Sequence, residues 1–297
     1  MKYIRDLLSS LPQLEPIPTG LQPRYSKEKN IRAVIFDIYG TLLISSSGDI
    51  DQAVISEENL EKALEISDIE ILGDRKSTLN QILKDFEYTI RICHTDSKNH
   101  GIPYPEIDIL SVWEIVLIQA RRKKLVDYDE EANFMRMTCY FEFLSNRVYP
   151  MPHLKEVINE LRHRKLPLGI VSNAQFYTPV VMNYYLRGKA KLTEKIKGFK
   201  SALTIFSYRN GRAKPDTYLF AEIVYALRKK YGISPDEALF VGNDMLKDIY
   251  ASYQEGFRTV LFAGDKRSLR MREDDKRTKE LEPDHIITDL KQLLEIV

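Results

Sequence analysis

The stretch Ala33-Val34-Ile35-Phe36-Asp37-Ile38-Tyr39-Gly40-Thr41-Leu42-Leu43 decides the fold. Its apolar residues run without alternation, as in a parallel strand buried on both faces, and they deliver one carboxylate into a Gly-Thr turn. Ligands of an open α/β sheet gather at the carboxyl ends of its strands, so Asp37 stands where a nucleophile would be presented. The same residue would also serve simply to cap the turn that follows.

After Pro150 the chain alternates between strand and helix patterns. A helix from Pro152 to about Arg164 leads into Leu168-Gly169-Ile170-Val171, which ends at Ser172-Asn173. Another helix, about Pro179 to Leu186, precedes the apolar stretch Leu203 to Phe206, and a third runs from about Asp216 to Tyr231. Ala238-Leu239-Phe240-Val241 then ends at Gly242-Asn243-Asp244. A helix near Ile249 to Gln254, the strand Thr259 to Phe262, and Ile286-Ile287 with a terminal helix close the series. Such alternation predicts an α/β fold with a doubly wound, mainly parallel, Rossmann-like sheet. Between the first strand and this series, apolar residues recur at three and four spacing, as in Leu60, Leu64, Leu79, Leu83, Phe86 and Ile90, then Trp113, Val116, Leu117 and Ala120. That periodicity predicts an all-helical insertion. The expected organisation is a leader over 1–30 on the surface, an α/β core over 31–50 and 150–297, and a helical domain over 51–149.

Composition narrows the partners. The 297 residues carry 44 Lys and Arg against 43 Asp and Glu, so nothing in the overall charge points to nucleic acid or an anionic membrane. Cys93 and Cys139 fall in no metal-ligand spacing and make no disulfide framework, which suits a reducing cytoplasm. The first residues lack the apolar core of a signal peptide, and no stretch reaches the roughly 18 apolar residues of a membrane span. The chain reads as soluble and cytoplasmic. Nothing in it reports on oligomeric state.

Asp37, Ser172, Lys214 and the pair Asp244 and Asp248 all fall at or just past the carboxyl ends of separate expected strands. In a parallel sheet those ends lie side by side, so the residues can converge on one pocket. Taken singly, each has a plainer explanation: Ser172 and Asn173 as a helix cap, Lys214 as a turn residue before Pro215, and Asp244 and Asp248 as one polar helix face.

Asp37-Ile38-Tyr39-Gly40-Thr41, Ser172-Asn173, Lys214-Pro215 and Gly242-Asn243-Asp244-Met245-Leu246-Lys247-Asp248, in that order, resemble the four signature motifs of the haloacid dehalogenase-like hydrolases. The insertion after the first motif resembles the helical cap that many members place there. The resemblance implies that Asp37 is a nucleophile forming a covalent aspartyl intermediate. It implies that Thr41 orients Asp37, and that Ser172 donates to the anionic oxygens of the substrate with Tyr39 and Asn173 beside it. Lys214 would balance charge. Asp37, the Tyr39 carbonyl and Asp244 would hold Mg2+, and Asp248 would hold Lys214 or a metal-bound water.

One departure from the family pattern bears on the chemistry. Phosphatases of the family carry a second aspartate two residues after the nucleophile, and here that position is Tyr39, whose ordinary pKa near 10 does not suit acid/base work at neutral pH. Aspartate-x-tyrosine-glycine-threonine is the pattern of the 2-haloacid dehalogenases, whose halide leaving group needs no proton. Asp244 with Asp248 points the other way, to a magnesium phosphohydrolase. Crowding those acids against Asp37 without a cation would raise their pKa values by repulsion. The leading expectation is therefore a Mg2+-dependent phosphatase acting on a small phosphorylated molecule, preferring leaving groups that depart without a proton. The alternatives are a metal-independent dehalogenase and a degenerate member that binds a ligand or partner with little turnover.

Three further segments stand out more weakly. Residues 101–108 read as a stiff connection between helices, or as a specificity loop facing Asp37. Gln175, Phe176 and Tyr177 follow Ser172-Asn173 closely enough to touch substrate. The charged run 265–280 reads as solvated surface, or as a site where Lys266, Arg267 and Arg270 meet a polyanion. No histidine has a ligand partner in spacing.

Overall fold

The computed structural model describes residues 2–47 and 55–297; the junction expected at residues 50 and 51 lies outside them. In chain order the elements are α1 (Lys2–Ser10), β1 (Ala33–Phe36), β2 (Leu43–Ser45), α2 (Glu57–Glu65), β3 (Glu70–Ile71), α3 (Arg75–Asn99) and α4 (Ile109–Arg122). There follow β4 (Val126–Asp127), α5 (Phe134–Ser145), β5 (Val148–Pro150), α6 (Leu154–His163), β6 (Leu168–Ser172), α7 (Thr178–Arg187) and β7 (Thr204–Phe206). The chain closes with α8 (Ser207–Asn210), α9 (Tyr218–Ala226), β8 (Ala238–Gly242), α10 (Ala251–Gln254), β9 (Arg258–Phe262), β10 (His285–Ile287) and α11 (Leu293–Ile296).

The main sheet has six strands in the order β10-β9-β8-β1-β6-β7, and every pairing in it is parallel. β1 lies between β6 and β8, with Val34 opposite Leu168 and Leu239. Its side chains alternate between two apolar layers: Val34 and Phe36 belong to one, Ala33 and Ile35 to the other. This is why the strand reads as an unbroken apolar run, since neither face meets water. The register carries Asp37, Ser172 and Gly242-Asn243-Asp244 to one edge of the sheet.

The inserted helices α2 to α5 pack around Trp113, which stacks on Phe86 at 4.1 Å between centroids and meets Phe141 edge-on at 4.8 Å. The insertion also carries the two-residue antiparallel pair β3–β4, too short to show as strand alternation, and β2 pairs with β5 where the chain leaves and re-enters the core. One apolar cluster runs from β1 through the α6–α7 layer into α2, α4 and α5.

The leader does more than lie on the surface. Ile4, Leu7 and Leu8 of α1 are buried, and the helix docks on α5, where Tyr140 donates to the carbonyl of Tyr3. Further on, the leader is pinned to the core. The Ile17 amide donates to the Asp265 carboxylate and its carbonyl accepts from the Lys266 amide, the Thr19 hydroxyl donates to the Ala263 carbonyl, and Arg24 bridges to Ile286 on β10. Among the described residues no helix is long and apolar enough to cross a membrane.

Ile4→Ala removes a side chain that is 1% exposed and tests this docking. It is expected to cost about 2–4 kcal/mol in urea unfolding, the range for large-to-small changes in a packed interior; a change below about 0.5 kcal/mol would mean that α1 is not part of the cooperative core.

Candidate active site

β1 ends in a tight turn. Gly40 has φ +83°, and a Cβ there would come within 2.6 Å of Asn243 Nδ2 and of Ser268 Cβ, so both the conformation and the space require glycine. The Asp37 amide donates to the Val241 carbonyl at 2.9 Å, which seats Asp37 beside the end of β8. Lys214, on the loop after α8, reaches across with its Nζ 2.7 Å from Asp37 Oδ1 and 2.5 Å from Asp248 Oδ1. The other Asp248 oxygen accepts from the backbone N–H groups of Asn243 and Asp244, at 2.9 and 3.0 Å. Both oxygens of Asp248 are thus engaged by the protein.

Burial alone would lower the Lys214 pKa, but the charges of Asp248 and Asp37 more than offset it and hold the ammonium above its usual range. Burial and the charges of Asp37 and Asp244 hold Asp248 above the ordinary carboxylate range, against the pull of Lys214. For Asp244, burial is outweighed. Arg272 grips its carboxylate with two nitrogens, one of them 2.6 Å from Oδ2, and the amides of Leu246 and Lys247 donate to Oδ1, so its pKa falls.

The geometry assigns several of the expected residues to different partners. The Thr41 hydroxyl donates to Asn243 Oδ1 at 3.0 Å, so it braces the end of β8, not Asp37. Asn173 Oδ1 accepts from the Lys214 amide at 2.8 Å, and its Nδ2 donates to the Lys214 carbonyl at 3.4 Å. It therefore positions the lysine's backbone. The buried Tyr39 hydroxyl pairs with Thr178 Oγ1 at 2.8 Å, and burial drives its pKa well above 10, further from any acid/base role. Ser172 is fully buried at the end of β6, its hydroxyl only 3.5 Å from the Asn173 carbonyl.

The charged run 265–280 is only partly solvated. Asp265 and Ser268 are buried, and the Arg270 backbone pairs with Asn243 and Met245. The segment folds back over the end of β8 and supplies Arg272. No spacing signalled that residue; its position depends on this long-range pairing.

Residues 104–109 are likewise more than a helix connection. Glu106 and Ala213 pair with Gly211 and Tyr104 through backbone hydrogen bonds, and Gln175 bonds the Ile107 carbonyl and the Ile109 amide. The loop latches the insertion to the segment just before Lys214 and to the one just after Ser172. Beside it lies a cavity of about 300 Å³ whose walls include Phe86, Ile90, Ile107, Phe141, Glu142 and Tyr177. Burial pushes the Glu142 carboxyl up to about 7, although the Tyr177 hydroxyl, 3.0 Å away, and the Trp113 indole partly oppose this. Sequence reasoning missed Glu142 because it lies in a mostly apolar helix with no motif around it. Of the three residues after the second motif, Gln175 and Tyr177 line the cavity and Phe176 packs against Tyr177.

Among the described residues, no three His, Cys, Asp or Glu side chains come together as a metal-ligand set. Lys214 pairs with two of the crowded acids, Asp37 and Asp248, and Arg272 with the third, Asp244. Asp37, Asp244 and the Tyr39 carbonyl, which the resemblance names as ligands, are all oxygen donors of the kind that a hard cation takes.

Residues 31–252 match the family model of the haloacid dehalogenase-like hydrolases. Phosphoglycolate phosphatase of Escherichia coli is 27% identical over 241 residues, covering 79% of this chain and 82% of that enzyme. Pyrophosphatase PpaX of Oceanobacillus iheyensis is 30% identical over 152 residues, 51% of this chain, and the match spans 62% of that relative's length. Among solved structures, a 2-haloacid dehalogenase from Pseudomonas syringae superposes with a TM-score of 0.56 at 20% identity, covering 89% of this chain and 97% of that one. At that identity the likeness is one of fold.

Glu142 sets a pH signature. Its carboxyl titrates near 4.5 when the chain unfolds and near 7 when folded, so the folded state holds the extra proton between those values and stability falls as pH rises through that window. The melting temperature of Glu142→Gln should gain on the wild type progressively from pH 4.5 to pH 7. A constant difference across that range would show that the Glu142 carboxyl is not shifted.

Proposed function

Since the chain belongs to the haloacid dehalogenase-like hydrolases, we propose that it is a Mg2+-dependent phosphatase acting on a small phosphorylated molecule held between the sheet edge and the helical domain of residues 51–149. The carrying observation is the buried Lys214 ammonium between Asp37 and Asp248, with Asp244 beside them. Asp37 attacks phosphorus, a new oxygen–phosphorus bond forms, and the bond to the leaving oxygen breaks. Water then cleaves the acyl phosphate, releasing inorganic phosphate and restoring the carboxylate. Lys214 offsets the charge that gathers as nucleophile and phosphoryl group meet, and Ser172 offers its hydroxyl and backbone N–H to the phosphoryl oxygens. Asp248 and Asn173 position Lys214. Mg2+, held by Asp37, Asp244 and the Tyr39 carbonyl, would supply further positive charge at the phosphoryl oxygens. With Tyr39 bound to Thr178, the site offers no acid at that position, which favours acyl phosphates and other leaving groups of low basicity. The likeness to phosphoglycolate phosphatase over most of both chains supports the phosphatase reading. The free thiols of Cys93 and Cys139 suit a cytoplasmic setting.

A second reading, a metal-independent dehalogenase in which Asp37 attacks carbon, draws on a specific contact. Arg272 already places a positive charge on both oxygens of Asp244. The two readings separate in one assay. Phosphate release from acetyl phosphate should require Mg2+, stop with EDTA and vanish in Asp37→Asn. Halide release from 2-chloropropionate that survives EDTA would replace the phosphatase by the dehalogenase, and no turnover of either substrate would leave a binding protein.

Arg272 also sets an expectation for metal affinity. Its side chain is 33% exposed, so its ion pair with Asp244 is of the modest kind, and Arg272→Gln should lower the half-saturating Mg2+ concentration by roughly two- to fivefold. A higher requirement would show that Arg272 assists the site and does not compete for it.

A further inference from the structure

The cavity beside the 104–109 loop has a chemistry of its own. Its apolar walls include Phe86, Ile90, Ile107 and Phe141, enough to hold a compact hydrocarbon or aromatic body. Its charged lining, among the described residues, is Glu106 and Glu142 with His94, and it contains neither lysine nor arginine. Glu106 is already spent on structure, accepting from the Ser207 hydroxyl at 2.7 Å and the Ile107 amide at 3.0 Å. Among the described residues Glu142 accepts from one side chain, the neutral Tyr177 hydroxyl at 3.0 Å, and the buried Trp113 indole N–H nearby has no hydrogen-bond partner. One helical turn on, Ser145 also lines the cavity. It is 4% exposed, and its hydroxyl oxygen has no hydrogen-bond partner among the described residues. A buried hydroxyl in that state, beside a carboxyl that no lysine or arginine of the lining meets, is costly unless a ligand completes it.

The cavity lies one layer of side chains from the candidate active site. Gln175 and Tyr177 of its lining precede Thr178, whose hydroxyl accepts from the Gln175 amide and bonds Tyr39, two residues from Asp37. We infer that the cavity receives a leaving group built of an apolar, aromatic-sized body that carries an ammonium, with the ammonium donating to Glu142 and Ser145. The inference rests on the phosphatase reading. It also separates this chain from a site for carboxylate-bearing phosphates, which Glu142 would repel once ionised.

Trp113, the single tryptophan, contacts Phe86 and Phe141 of the cavity wall, so its fluorescence reports occupancy. The test is a titration at pH 8 with phenethylamine and with phenylacetate, two probes of one shape and opposite charge. Phenethylamine is expected to bind saturably and at least about tenfold tighter than phenylacetate, the preference disappearing in Glu142→Gln. Ser145→Ala should weaken the amine about two- to tenfold. Equal or tighter binding of phenylacetate, no saturable change with either probe, or a preference that survives Glu142→Gln would each overturn the inference; should the glutamine variant fold poorly, the wild-type comparison and Ser145→Ala decide. Phosphate release from acetyl phosphate is measured separately. Amine preference without phosphate release would sink the phosphatase reading and leave the cavity as an ammonium site. Phosphate release without amine preference would sink the cavity inference alone.

Discussion

A lysine ammonium buried between two carboxylates is the constraint on which the rest of this structure depends. Lys214 is 3% exposed at its side chain, and removing such a charge from water is tolerable only if opposite charges meet it at contact distance. Asp37 and Asp248 do so from the ends of different strands. Their placement demands the β8-β1-β6-β7 order, the turn at Gly40 and the Asn173 clasp on the lysine's backbone. Loss of any one of these supports would leave a charge unpaired in a dry interior, which costs far more than the pair itself contributes.

Asp244 belongs to the same balance. A third acid near Asp248 would add repulsion, and the 265–280 segment returns over β8 to place Arg272 on it. The chain's own cations thereby offset most of the site's negative charge, while Asp37 and Asp244 still press on Asp248. The helical insertion is seated just as firmly. Its aromatic centre continues the core's apolar layer, the 104–109 loop is sewn to the segments around Ser172 and Lys214, and the leader joins α5 to the β9 and β10 edge.

The parts of this arrangement that could be read in advance are those whose cause is local. A strand buried on both faces must be apolar throughout, so Ala33 to Phe36 declared itself, and the helical period of residues around Leu60, Phe86 and Trp113 declared the insertion. Residues at or just past strand ends, Asp37, Ser172 and Asp244, with Asp248 one helical turn further on, were legible because a parallel sheet brings its carboxyl edges together whatever the loops between them. Hydrogen-bond partners were not. Thr41 and Asn173 have several acceptors and donors within reach in principle, and only the packed backbone decides that one braces Asn243 and the other holds Lys214.

What the chain's order of residues determined alone was therefore the α/β scaffold, the helical insertion and the set of polar groups delivered to one rim, because periodicity and strand-end position are properties of neighbouring residues. Tertiary structure decided how those groups share charge. Arg272 reaches Asp244 across 28 positions, Tyr39 turns to Thr178 across 139, and Glu142 meets Tyr177 across 35. Coulomb and hydrogen-bond energies depend on distances in space and on local burial, and neither is set by separation along the chain.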